Sequence, residues 1–157
     1  MAKNIETLIY EISLRVRLFM ASKEARNNIA DLTQRERLLL ELIGMRENMS
    51  ISEISKLCPT VSNSTISTTI SKLWKERNLV KKRILPENQR ITTVSVTTRG
   101  RDVLHAIKEA ESEVYKTIAE SLGLSPEEDE FFKAFIENAI QFFNQKLGFQ
   151  MELIENI

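Results

Sequence analysis

Apolar residues recur every three or four positions through most of the chain, a pattern that predicts a largely helical protein. From about Asn4 to Lys23, Ile5, Leu8, Ile9, Ile12, Val16, Phe19 and Met20 form one stripe, and Leu14 and Leu18 widen it. A stripe that wide belongs to a helix touching more than one neighbour. Thr33 and Glu36 have the spacing of a capping box, in which each side chain satisfies an orphan amide at a helix start. They open a second helix with Leu38, Leu39, Leu42 and Ile43 inward and Gly44 near its end. Ser50 and Glu53 repeat that spacing before a short third helix carrying Ile51, Ile54 and Leu57, which Pro59 ends. After a polar turn at 59–62, a longer helix is predicted over 63–77, with Ile66, Ile70, Leu73 and Trp74 facing inward.

The period changes after Asn78, a residue that tolerates the left-handed conformation at a helix stop. The segments 80–84 and 91–96 are rich in β-branched residues, and 85–90 between them has turn chemistry, which predicts a β-hairpin. Thr98 is then expected to cap a long helix reaching about Ser121, with Val103, Ile107, Ala110, Val114 and Ile118 on one face. Leu122-Gly123-Leu124 breaks it. Ser125, Pro126 and Glu128 combine a capping-box spacing with proline at the first helical position, opening a last helix that carries Phe131, Phe132, Phe135, Ile136, Ile140, Phe142, Phe143 and Leu147. The expected fold class is mainly α with a small β-hairpin wing. A winged helix-turn-helix domain over 31–98 would lie between an N-terminal helix within 1–30 and a helical region over 99–157. These outer helices carry more apolar surface than a small winged domain can cover. They would bury it in a symmetric dimer or by folding back on their own domain.

Composition adds two points. With 42% hydrophobic and 28% charged residues the chain is an ordinary soluble globular protein rather than a disordered one. No apolar run approaches the roughly 20 residues that span a bilayer, and the start lacks a signal-peptide core, so a cytoplasmic protein without a membrane partner is expected. One cysteine forms no internal disulfide. The formal net charge is +0, but it hides an asymmetry. Nine basic residues lie from Lys72 to Arg101 against Glu76 and Glu87 alone among the acids up to Gly100. From Glu109 onward acids dominate, including Glu127, Glu128, Asp129, Glu130, Glu152 and Glu155. A polyanion responds to the local field, although two solvated faces of opposite sign would show the same pattern.

The chemistry concentrates in the fourth helix and the hairpin. A helix that enters the major groove needs a polar outer face and an apolar inner one. Ser62, Asn63, Ser64, Thr65, Thr68 and Thr69 offer small hydroxyl and amide groups, and Lys72 and Lys75 follow to meet phosphates. This run is poor in intrinsic helix formers, so local stability does not account for it. On the hairpin, Lys81, Lys82 and Arg83 lie on one strand, and Arg90 at the tip suits a narrow minor groove. The site expected to contact DNA is therefore Ser62, Asn63, Ser64, Thr65, Thr68, Thr69, Lys72, Lys75, Arg83 and Arg90.

These residues resemble the MarR family of bacterial transcriptional regulators, in recognisable motifs from about Leu32 to Leu104. The segment 61–67 resembles the start of that family's recognition helix, and 73–80 its end, with Asn78 where glycine is usual. Segment 86–90 resembles the wing tip, and 96–100 the junction from strand to helix. Asn88 stands where members usually carry an acid that orients the tip arginine, and Thr68 where many have arginine. The turn near Pro59 is about one residue longer than is usual. The resemblance implies a homodimer on a pseudo-palindromic site in double-stranded DNA, acting as a repressor. It also implies relief by a small aromatic effector, for which Tyr10, Phe19, Met20, Met45 and Met49 are candidate contacts, although all five also suit a core.

Other readings have less behind them. Cys58, beside Pro59, fits a small buried hydrophobe better than a redox sensor, which needs exposure and a cationic neighbour such as Lys56. His105 fits a structural or surface role. One histidine and one cysteine fill no usual zinc ligand set, and no phosphate loop or nucleophile elbow is present. No enzyme and no cofactor is expected. The acidic run at 127–130 complements a helix N-terminus. A winged-helix module that binds protein instead of DNA is the alternative from another class, and the basic wing counts against it.

Overall fold

The structure, a computed structural model, describes residues 2–24 and 29–148; Glu152 and Glu155 lie outside the described residues. In chain order the elements are helix α1 (Ile5–Glu24), a 3-10 turn (Ile29–Asp31), α2 (Gln34–Met45), strand β1 (Met49–Ser50), α3 (Ile51–Leu57) and α4 (Asn63–Ser71). A π-helical turn (Lys72–Glu76), β2 (Val80–Leu85), β3 (Asn88–Val96), α5 (Thr98–Ser121) and α6 (Pro126–Leu147) complete the chain. No helix among the described residues is long and apolar enough to cross a membrane.

Local chemistry starts the helices where the sequence places them. Thr33, Ser50 and Ser125 each accept the amide three residues on, and Glu36, Glu53 and Glu128 reach back to complete three capping boxes. The cap of α5 differs from expectation. Thr97, not Thr98, has the extended backbone of a cap, and its hydroxyl accepts the Gly100 amide at 3.0 Å. The same hydroxyl donates to the Asn78 carbonyl at 2.8 Å, a second partner that selects between two adjacent threonines.

The sheet is antiparallel in the order β1-β3-β2. Its third strand, β1, was not expected; at two residues it is too short to show a period, and it pairs Met49 with Val94 and Ser50 with Thr93. The hairpin turn is narrower than 85–90. Only Pro86 and Glu87 lie outside the strands, and Leu85 faces Asn88. The register then shifts so that Ile84 faces Thr92, which leaves Gln89, Arg90 and Ile91 on a bulge in β3.

The core lies between α2, α3, α4 and the inner face of the sheet. Leu39, Leu40, Ile43, Met49, Ile54, Ile66, Ile70, Leu73, Leu79, Val80 and Val94 are at most 2% exposed there. Leu40 takes the place expected for Leu38, which is exposed. In contrast, α1 and α6 bury no residue among their described side chains. Phe131 and Phe135 of α6 are 71% and 68% exposed, far above what a helix folded back on its own domain would leave.

Two contacts hold α4 and the wing in place. Where the π turn ends, Asn78 is left-handed (φ 53°) and the Leu79 amide donates to the Leu73 carbonyl at 2.8 Å, closing the helix with a six-residue bond. The Leu79 carbonyl accepts the Thr97 amide and lies against Gly100, where an added Cβ would come within 2.1 Å of it. Separately, the Arg77 guanidinium donates to both carboxylate oxygens of buried Glu36 and to the carbonyls of Ala30 and Asp31. Burial alone would push the Glu36 carboxyl up. The Thr33 amide and Arg77 outweigh that and hold it below its ordinary value.

Two outcomes follow for stability. Gly100→Ala should cost about 2 kcal/mol or more, because its methyl meets a backbone carbonyl that cannot rotate away; urea unfolding measures it. Glu36 bound as a carboxylate adds stability at neutral pH, lost as pH falls through its lowered folded value. Arg77→Ala should remove about 3 kcal/mol at neutral pH by stranding a buried carboxylate. The urea midpoint of the variant should fall less on acidification than that of the parent.

Candidate nucleic-acid interface

On α4 the exposed side chains are Ser62, Asn63, Ser64, Ser67 and Thr68, with Thr65 half-buried. The Ser62 hydroxyl caps the helix at the Thr65 amide (3.2 Å) and lies 3.1 Å and 2.7 Å from the hydroxyls of Ser64 and Thr65. Thr68 donates to the Ser64 carbonyl at 2.8 Å, which leaves its lone pairs outward. Asn63 and Ser67 have no side-chain hydrogen bond among the described residues. Ser67, absent from the expected set, completes the outward row; its spacing of four from Asn63 was the available signal. Thr69 is a correction. It is 7% exposed and its hydroxyl donates to the Thr65 carbonyl at 2.8 Å, so it faces inward, one step around the helix from Thr68.

Beyond Ser71 the backbone widens into the π turn, and the Arg77 amide donates to the Lys72 carbonyl at 3.1 Å. Trp74, expected inward, stands at the surface beside buried Leu73 and is 39% exposed. Lys72 and Lys75 are exposed, as expected. The ammonium groups of Lys75 and Lys82 lie 5.2 and 5.0 Å from the centre of the Trp74 ring. Lys82 also donates to the Ser71 hydroxyl at 3.1 Å. Burial, then the charge of Lys75, pushes the Lys82 amine below the ordinary lysine value.

On the wing, Lys81, Arg83 and Arg90 are exposed. Arg90 lies on the bulge of β3 rather than at the tip, and the Asn88 side-chain oxygen accepts the backbone amide of Arg90 at 3.1 Å instead of its guanidinium. Lys72, Lys75, Lys81, Arg83 and Arg90 form no ion pair among the described residues, whereas Arg77 pairs with Glu36 and Arg101 with Glu47 at 3.7 Å. The basic segment thus divides into cations held by acids inside the domain and cations that face solvent unneutralised.

Two open clefts flank this surface. One of about 550 Å³ lies between the start of α2 and α4 and brings Gln34 and Arg35 beside Lys72. The other, about 490 Å³, lies between the end of α2, the wing and α5, with Lys81, Arg83 and Arg101 opposite Glu47. None of Tyr10, Phe19, Met20, Met45 and Met49 lines either cleft. Met49 is sealed in the core, and Tyr10 is 62% exposed on α1. Cys58 ends α3, half-buried against the core, and His105 is exposed on α5.

Residues 32–100 match the family model of a winged helix DNA-binding domain. The sequence matches no curated protein. Among solved structures, a crystal structure of MarR is 20% identical, covers 93% of this chain and 95% of its own, and has a TM-score of 0.64. A MepR variant from a multidrug-resistant S. aureus clinical isolate is 19% identical over 91% of this chain and 99% of its own, with a TM-score of 0.66. FabT of Streptococcus pneumoniae, solved in complex with DNA, is 18% identical over 89% and 96%, with a TM-score of 0.62. Residues 32–100 are thus similar to a winged helix DNA-binding domain, and with the flanking helices in the same arrangement the chain has the fold of MarR.

Proposed function

We propose that the chain is a MarR-type transcriptional regulator, a homodimeric repressor that binds a pseudo-palindromic site in double-stranded DNA. One observation carries the reading: an outward row of small polar side chains on α4, bordered by five exposed cations without acidic partners. Unneutralised cations around a polar helix are what a phosphate backbone requires. In this reading α4 lies in the major groove, where Ser62, Asn63, Ser64, Thr65, Ser67 and Thr68 face base edges and phosphates. Lys72 and Lys75 meet the backbone, and Arg83 and Arg90 approach the neighbouring minor groove. Small hydroxyls in place of a bidentate arginine favour readout through shape and backbone contact.

Dimerisation is supported by the apolar faces of α1 and α6, which stand open in the single chain. Burying Phe131, Phe135, Phe142 and Phe143 against a second copy would also place two α4 helices for one palindrome. A small aromatic effector, bound between the outer helices and the winged domain, would relieve repression.

Selection of fragmented genomic DNA on the purified protein should enrich a pseudo-palindrome, whose affinity falls steeply as salt rises. Failure to retain any duplex, even at low salt, would overturn the reading. Arg90→Ala should weaken the selected site by roughly 1–3 kcal/mol while leaving sedimentation unchanged. Phe135→Arg should instead shift sedimentation towards the monomer and lower DNA affinity with it.

A further inference from the structure

Trp74 and the two lysines beside it are not explained by packing. On the π turn the indole stands partly in solvent, 39% exposed. Two ammonium groups then gather over one ring. Like charges repel, and Lys82 also loses hydration, so the arrangement opposes itself electrostatically. No carboxylate pairs with Lys75 or Lys82 among the described residues, and the indole N–H has no partner among them. The ring and the Ser71 hydroxyl nevertheless fix Lys82 in direction. A cation pair pre-oriented in this way, without its own anion, is complete only when an anion from outside joins it.

We infer that Lys75, Trp74 and Lys82 form a backbone clamp that takes phosphodiester groups of DNA at the exit of α4, between the recognition helix and the base of the wing. The inference rests on the DNA-binding reading and deepens it by adding Trp74 and Lys82 to the contact set. DNA is favoured over an acidic protein because the clamp continues the polar row of α4 and the exposed Lys72 along one helical segment. The ring holds the ammonium groups through its face, which leaves the indole N–H free to donate to a phosphate oxygen. Lys82, already half-desolvated, loses little more hydration when the phosphate arrives. The clamp reads no bases and sets position along the strand.

Trp74 is the sole tryptophan, so the full chain reports on the clamp directly. Titration with a mixed-sequence duplex at low salt should change the Trp74 emission and protect it from iodide quenching. Lys75→Met and Lys82→Met, which keep side-chain bulk, should each lower the slope of log affinity against log salt by about 1. Lys116→Met, on the distant part of α5, should leave that slope unchanged. A duplex that binds without altering Trp74 emission or quenching, together with unchanged slopes in both variants, would overturn the clamp and leave the DNA reading intact. Protection of Trp74 by polyglutamate but not by duplex would overturn it in favour of an acidic protein partner. No binding of any duplex would remove both readings at once.

Discussion

The winged domain depends on one carbonyl. Leu79 ends the α4 segment through its amide and begins the wing through its carbonyl, and that oxygen lies so close to Gly100 that no side chain fits between them. Around it, the Asn78 carbonyl and the Thr97 hydroxyl tie the start of β2 to the start of α5. Helix, hairpin and long helix therefore meet within a few residues, and their mutual angles are set by backbone hydrogen bonds rather than by adjustable side-chain packing. The polar row on α4 and the cations of the wing hold a defined separation because this junction does.

A second constraint is electrostatic selection among like residues. Nine basic residues lie close together in the sequence, yet Arg77 is turned inward to Glu36 and two backbone carbonyls, while Arg83 and Arg90 remain in solvent. The first supports the position of α4; the others supply charge to its surroundings. The same division runs through the threonines, where Thr69 satisfies itself within the helix and Thr68, next to it, faces out.

Much of this was legible from sequence wherever a few neighbouring residues decide the outcome. The three capping boxes, the left-handed Asn78 and the inward Ile66, Ile70 and Leu73 follow from local hydrogen bonding and period. The reading failed where a distant partner decides. Thr97 and Thr98 are equivalent until the Asn78 carbonyl selects one, and Leu38 and Leu40 are equivalent until the sheet arrives. Trp74 lies four residues beyond Ile70 but at the margin of the buried face beside Leu73, where spacing alone does not decide between core and surface. The bulge that moves Arg90 off the tip is likewise a property of strand pairing. Ser67 is legible by the same spacing, since it shares a face with Asn63.

The tether made by Arg77 has a mechanical consequence. Ala30 and Asp31, whose carbonyls it grips, both have left-handed backbone (φ 58° and 53°), a strained pair that two ordinary residues adopt only when held there. That pair lies in the turn just before α2, so the guanidinium works as a crank between this turn and the far end of the α4 segment. A shift of this turn that relaxed either dihedral would pull on Arg77 and be felt at the π turn without passing through the hydrophobic core. The near end of the segment, capped by Ser62 on itself, has no such side-chain linkage among the described residues. Torque applied at the turn over 29–31 would reach α4 at one end of that helix and pivot it about the other.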